Sequence, residues 1–420
     1  MRQKNYALIS QKVIMSKYHF LFLKAALLSL FFQGWVIASL RLMGIDLPFS
    51  IGTPITYFLF TFLWLFILTK KSGLSGSGVR VFSILWLVLS LFICKLLIGV
   101  VSYGGFYLKT IILFALPFSM YLSLLLISKS QYYSFVVFFK RLIWITILIS
   151  VVQFVFETYL PNALVRLPLI NLSGVVYHTQ SYIGSMSYTK PNGLVAANSI
   201  EYSFILLCFM FFVLHINRSK SYILVLLIFL LIFLNASRFS TILSLILIYF
   251  YMRKNISFAK RNITITIILI ACTCFFYIMW DKLQYILFRL AFMGGGAESD
   301  SERLKDFLLG VEYLKEYWAL GVPPEIMVNL NRILTDGALM LIVLDFGIFV
   351  SVVFLGFLML LPKISGLPNI KLDNLHIFIA VTFGSMLINS VILSKIVFPL
   401  YLTLVALVVL KEKNERCYAT

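Results

Sequence analysis

Charged side chains crowd one stretch of an otherwise apolar chain: Glu298, Asp300, Glu302, Arg303, Lys305 and Asp306, directly after Gly294-Gly295-Gly296. A guanidinium stabilises an anionic leaving group through paired N–H donors. A neighbouring carboxylate takes a proton from a hydroxyl. Other groups suited to an anion are scattered along the chain. Arg166, Lys190 and Asn192 fall in one polar segment, and Arg238 ends the turn Asn235-Ala236-Ser237-Arg238. Asp336, before Gly337, is either a helix cap or a contact to substrate. Pro191-Asn192-Gly193 signals a turn. Asn192 therefore either shapes the chain or sits at a helix mouth whose open N–H groups suit an anion.

Lipid must be the solvent for the elements that position these groups. The chain has 420 residues, 61% hydrophobic and 12% charged, where a soluble domain has about a quarter charged. The net charge of +19 reads as basic residues held between membrane spans, not as a nucleic-acid surface. The five cysteines include four in apolar runs, with neither a disulfide framework nor a zinc spacing. Arg2, Lys4, Lys12 and Lys17 precede a full-length span that is expected to remain as an anchor.

About 20 apolar residues cross the ~30 Å hydrocarbon core as a helix. By that rule an all-α polytopic membrane protein of about twelve spans is expected. The spans run near 19–40, 51–69, 81–101, 110–127, 138–156, 199–215, 221–236, 239–252, 263–280, 338–361, 375–391 and 396–410. The seventh and eighth are short. Together they exceed one crossing, so two helices are expected rather than one bent one. With the long loop set aside, segments assigned inside carry roughly three to four times as many Lys and Arg as those outside, which puts both termini in the cytoplasm. The whole chain, 1–420, is then one transmembrane domain with two enlarged outer loops, 157–198 and 281–337.

Within the second loop, Ser299-x-x-Glu302 is a capping-box pattern. Leu304, Phe307, Leu308, Val311, Leu314 and Trp318 follow at helical spacing along one face. Gly321 and Pro323-Pro324 end the run. An amphipathic helix near 300–319 is expected, on the outer surface or folded over the bundle, with Arg303 in its first turn. Asp345 lies inside the tenth span, where a mid-helix carboxylate costs about 2.5–3.5 kcal/mol and needs a partner or water. Lys95 is a possible partner, although snorkelling explains that lysine better. Glu201, at the start of the sixth span, reads as solvated. There is no glycine-rich phosphate loop, metal-ligand cluster or nucleophile elbow. Catalysis would use carboxylates, arginines and backbone amides in the outer loops, with no metal and no cofactor.

This layout resembles the O-antigen polymerase (Wzy) family of bacterial polysaccharide polymerases. The likeness rests on patches in a fixed order. Ser187-Tyr188-Thr189-Lys190-Pro191-Asn192-Gly193-Leu194-Val195-Ala196 resembles the family's Pro-Asn patch, and Asn235-Ala236-Ser237-Arg238-Phe239-Ser240 its Ser-Arg turn. Ser301-Glu302-Arg303-Leu304, Thr335-Asp336-Gly337-Ala338-Leu339 and Asp345-Phe346-Gly347-Ile348 resemble its second-loop sequence leading into a span. The resemblance implies an enzyme of lipopolysaccharide or capsule-type polysaccharide biosynthesis in the bacterial inner membrane. Its substrate would be oligosaccharide on undecaprenyl pyrophosphate, with a flippase and a chain-length regulator as possible partners and no nucleic acid. Arg303, Arg238 and Arg166 would stabilise the pyrophosphate, and Glu302, Asp300 or Asp336 would serve as base. Lys190 stands where the family's first-loop patch would offer an arginine, so the first-loop cation is Arg166 or Lys190.

Two other functions compete. An O-antigen ligase shares this topology but is marked by a histidine in the second large loop, and none occurs between Asp281 and Asp336. A lipid-linked oligosaccharide flippase or other twelve-span transporter would carry repeated halves and more charge inside its spans.

Overall fold

Apolar runs fold as helices because a backbone without water as a partner must bond to itself. The computed structural model describes residues 17–32, 52–69, 76–103, 115–159, 180–183, 186–189, 199–216, 222–235, 237–255, 295–323, 338–365, 374–388 and 396–416, with 266, 270, 273, 326 and 394. Helix α1 covers 17–32, α2 Gly52–Thr69, α3 Gly76–Tyr103, α4 Phe118–Leu125 and α5 Lys129–Tyr159. Then come α6 Ser199–Phe211, extended by a π-helical turn Phe212–Ile216, α7 Tyr222–Leu234 and α8 Arg238–Asn255. The second half holds α9 Gly295–Tyr317, α10 Ala338–Ile364, α11 Asn374–Ile388 and α12 Val397–Arg416.

One feature departs from an all-α chain. Strands β1 Gln180–Ile183 and β2 Met186–Thr189 pair antiparallel, Gln180 opposite Thr189 and Ile183 opposite Met186. The hairpin packs against α5 through β2. Tyr188 and Thr189 of the Pro-Asn patch therefore belong to a strand. The seventh and eighth apolar runs are two helices, α7 and α8, packed on each other and on α6.

The core is built around α6 and α12. Side chains from Tyr202 to Leu214 and from Val397 to Lys411 are all buried, as expected of helices that are apolar all round. Aromatic rings fill the spaces between helices: Phe211 stacks on Phe378 with centroids 4.1 Å apart, and Phe139 meets Phe212 edge-on at 4.7 Å. Hydrogen bonds at opposite ends set α6 and α12 parallel. Ser394, just before α12, donates to Glu201 of α6, and Lys411 donates to the His215 carbonyl. Deeper still, Tyr202 bonds Ser150 of α5, and Tyr121 of α4 bonds Ser365 at the end of α10.

The outward faces of the surrounding helices are apolar. Phe58, Leu87, Leu148 and Val352 are each about 60% exposed, a surface suited to lipid rather than water. Two helices, Lys129–Val152 and Leu339–Ile364, are long and apolar enough to cross a membrane by length and composition. Shorter apolar helices such as Glu201–Ile216 and Phe239–Arg253 pack among them.

Candidate functional site

Helix α9 and the broken helix α10 are spliced together through their backbones. Inside α10 the chain breaks at Gly347, with φ 75° and ψ 168°. An unbroken helix would bond the Ile348 N–H to the Leu344 carbonyl. Instead, Ile348 N–H donates to the Trp318 carbonyl at 2.9 Å, and the Leu344 carbonyl accepts from Val322 N–H at 2.6 Å. Trp318 and Val322 are themselves four residues apart, just past the end of α9. Two helical hydrogen-bond pairs have exchanged partners. Ser351 supports the break from below, donating to the Gly347 carbonyl at 2.6 Å and the Ile342 carbonyl at 3.0 Å.

Glycine is required on both sides of this splice. Gly321 has φ 79° and Gly347 φ 75°, positive values that cost other L-residues about 1–3 kcal/mol. Space forbids a side chain as well. A Cβ on Gly347 would lie 2.1 Å from the Ala319 carbonyl oxygen, and one on Gly321 would lie 2.6 Å from that of Leu344. Both obstacles are backbone, which cannot rotate away.

The break changes the meaning of Asp345. Residues 348–364 meet the lower limit of the roughly 17–25 residues needed to cross hydrocarbon. Asp345 precedes that segment, so it is not a charge in the middle of a continuous crossing helix. It sits half-buried two residues ahead of a helix N-terminus, where a carboxylate is favoured. Helix α3, which carries Lys95, packs along α10, but the Lys95 side chain lies outside the described residues.

Helix α9 differs from expectation at both its start and its face. It begins at Gly295, inside the glycine run, and not at Ser299. Arg303 lies more than two turns in, beyond the reach of the free N–H groups of the first turn. The docked face is Leu309, Gly310, Tyr313, Leu314 and Tyr317, packed around Val322, Leu341 and Leu344. Gly310 permits this approach: a Cβ there would come 2.9 Å from Met340 Cγ. Leu304, Phe307, Leu308 and Trp318, expected on one apolar face with Leu314, are 49–59% exposed. A narrow glycine-and-tyrosine face gives closer backbone contact than the bulky stripe would.

Arg238 is the candidate cation at a helix start. It is the first residue of α8, and Ser237 before it accepts from Ser240 N–H at 3.5 Å and from Thr241 N–H at 3.0 Å. Asn235 ties the preceding turn to α7 through the Leu231 carbonyl at 2.9 Å. Glu201 shares this end of the bundle, in the first turn of α6. Half-buried, it accepts the hydroxyl proton of Ser394, so it is not merely solvated. Ser394 in turn accepts from the N–H groups of Ile396 and Val397 at 3.1 and 3.3 Å, capping α12. Ser394→Ala is expected to lose this cap and the Glu201 contact together. It should lower stability by about 1–2 kcal/mol, read as a lower thermal midpoint in detergent, while Ser394→Thr should restore most of it.

Arg166, Lys190, Asn192 and Asp336 lie outside the described residues. For Arg238, Glu302 and Arg303 the backbone alone is described. Their elements are distributed as follows: α9 packs on α10, α10 on α11, α11 on α8, and α8 on α6. Arg238 and Glu201 thus stand on adjacent helices, whereas Glu302 and Arg303 join the bundle through α10. Among the described residues no three His, Cys, Asp or Glu side chains gather as a metal site requires. The splice itself escaped the sequence reading. Its signal was Gly347, two residues after Asp345, interrupting an apolar run, as glycines do in discontinuous helices. Comparison with family models, curated proteins and solved structures finds no match to this chain.

Proposed function

We propose that the chain is a polysaccharide repeat-unit polymerase of the Wzy type, a membrane glycosyltransferase of about twelve spans. It transfers the growing glycan from undecaprenyl pyrophosphate onto the next lipid-linked unit at the outer face of the bacterial cytoplasmic membrane. The supporting observation is the splice. Helix α9, which carries Ser301-Glu302-Arg303-Leu304, is fastened by its C-terminal turn to Asp345-Phe346-Gly347-Ile348. Two patches that resemble the polymerase sequences are therefore carried on two helices that one splice joins.

In this reading the acceptor hydroxyl oxygen attacks the anomeric carbon of the donor glycan. The bond from that carbon to the pyrophosphate oxygen breaks, and the electron pair leaves with undecaprenyl pyrophosphate. Arg303, Arg238 and either Arg166 or Lys190 offset the charge on that leaving group. Asn192 contributes an amide to the same phosphates. Glu302 or Asp336 takes the hydroxyl proton.

Purified protein in liposomes with a single defined lipid-linked repeat unit tests the proposal. A ladder of lengthening glycan and a matching release of undecaprenyl pyrophosphate are expected. Without chain growth on a unit that its own cell polymerises, the reading is lost. Deletion in the cell separates the competitors. Single repeat units should still reach the surface lipid, whereas polymer stranded on the carrier would indicate a ligase and unflipped units a flippase.

A further inference from the structure

Helix α9 carries three faces, and the docked one accounts for only part of its apolar surface. A second face bears Leu304, Phe307, Leu308 and Trp318, which stay 59%, 49%, 54% and 52% exposed. A third bears Lys305, Glu312 and Glu316, all exposed. The second face does not end with the helix. The Trp318 ring meets that of Phe349 with centroids 5.6 Å apart. From there the exposed apolar surface continues down α10 through Ile348, Phe349, Val352 and Val353 to Met359 and Leu360. Those α10 residues belong to one of the two helices long and apolar enough to cross a membrane.

We propose that this second face of α9 lies in the outer leaflet of the bilayer, against lipid acyl chains. One unbroken apolar surface joins it to the outward face of α10, so the medium that covers α10 also covers α9. The charged third face then turns toward water. Lys315, which falls among the leucines, reaches the head groups by snorkelling. A helix with this partition sits about 5–10 Å into the boundary between head groups and acyl chains. The outer-loop helix is accordingly held twice, by the backbone splice and by lipid. The inference rests on the membrane-spanning reading of α10 and not on the transfer reaction.

Site-directed fluorescence in vesicles tests it. Bimane is attached to Leu308→Cys, Glu312→Cys or Val352→Cys in the full-length protein, with the signal of the native cysteines subtracted using unsubstituted protein. Phosphatidylcholine vesicles brominated near the head-group end of the acyl chain should remove most of the emission from Leu308→Cys. Aqueous iodide should act mainly on Glu312→Cys. Lipid bromine acting on Val352→Cys but not Leu308→Cys overturns this inference alone. Lipid bromine acting on neither overturns the membrane reading of α10 on which it rests. Should labelling disturb the joint, native Trp318 gives a second readout, with the other five tryptophans replaced by phenylalanine and the same lipids as quenchers.

Discussion

Gly347→Ala is expected to abolish chain growth while leaving the protein inserted and folded. Alanine in the positive-φ, extended-ψ backbone of Gly347 costs about 1–3 kcal/mol. In the helical conformation alanine is favoured over glycine by about 1 kcal/mol. These two terms alone shift the balance from broken to continuous helix by roughly 30- to 1,000-fold. The contact of the new methyl with the Ala319 carbonyl oxygen, 2.1 Å away, adds to that. Helix α10 should straighten and release the end of α9. The expected signature is normal protein level in the membrane, new trypsin cleavage at Lys305 or Lys315, and no polymer ladder. Gly321→Ala should behave alike, because its Cβ would meet the same joint from the other side. Unchanged protease protection in both variants would show that the splice does not hold α9 in place.

Arg303→Ala carries the second large effect. Removing one donor that acts on transition-state charge costs about 2.7–4 kcal/mol, or 10²–10³-fold in rate. A loss of that order in polymerisation is expected, with the protein still present in the membrane. Since α9 starts at Gly295, the free N–H groups of its first turn lie away from Arg303, so the part proposed for this residue falls to its guanidinium and not to the helix end. Arg303→Lys keeps the charge but not the paired donors, so it should recover only part of the rate. Initial-rate kinetics on the purified protein check this, with the loss expected in kcat rather than KM. Wild-type chain length in Arg303→Ala would remove the residue from the site.

Apolar run length made most of the helices legible, although a turn at Leu116-Pro117 interrupts the span expected over 110–127 and leaves the eight-residue helix α4 after it. Runs such as Phe204–Met210 are apolar without interruption, and burial all round α6 follows from that. The division between α7 and α8 was legible from length. The β1–β2 hairpin was missed, although Ile183-Gly184-Ser185-Met186 offers a glycine-first connection of the kind that joins short strands. Within α9 both faces beside the charged one carry large apolar groups, so spacing alone could not choose which would dock. The choice depended on Gly310, whose lack of a side chain lets Met340 approach. Asp345 was noticed for its charge, but the break two residues after it was not. A hydropathy window runs across Gly347 without registering a change in backbone direction. The groups proposed for an anion were readable as residue types. Spacing in the sequence says nothing of how segments so far apart are placed in space.

The partner exchange at Trp318, Val322, Leu344 and Ile348 balances in an unusual way. Were the two segments parted and each wound on as a helix, each carbonyl would meet an N–H four residues along its own chain. In that case the tally of hydrogen bonds would be the same joined or parted. Adhesion must come from the close fit of Gly310, Gly321 and Gly347 and the apolar contacts around Val322 and Leu344. A joint of this kind behaves like a zip rather than a weld: shape holds it shut, and opening it strands no polar group.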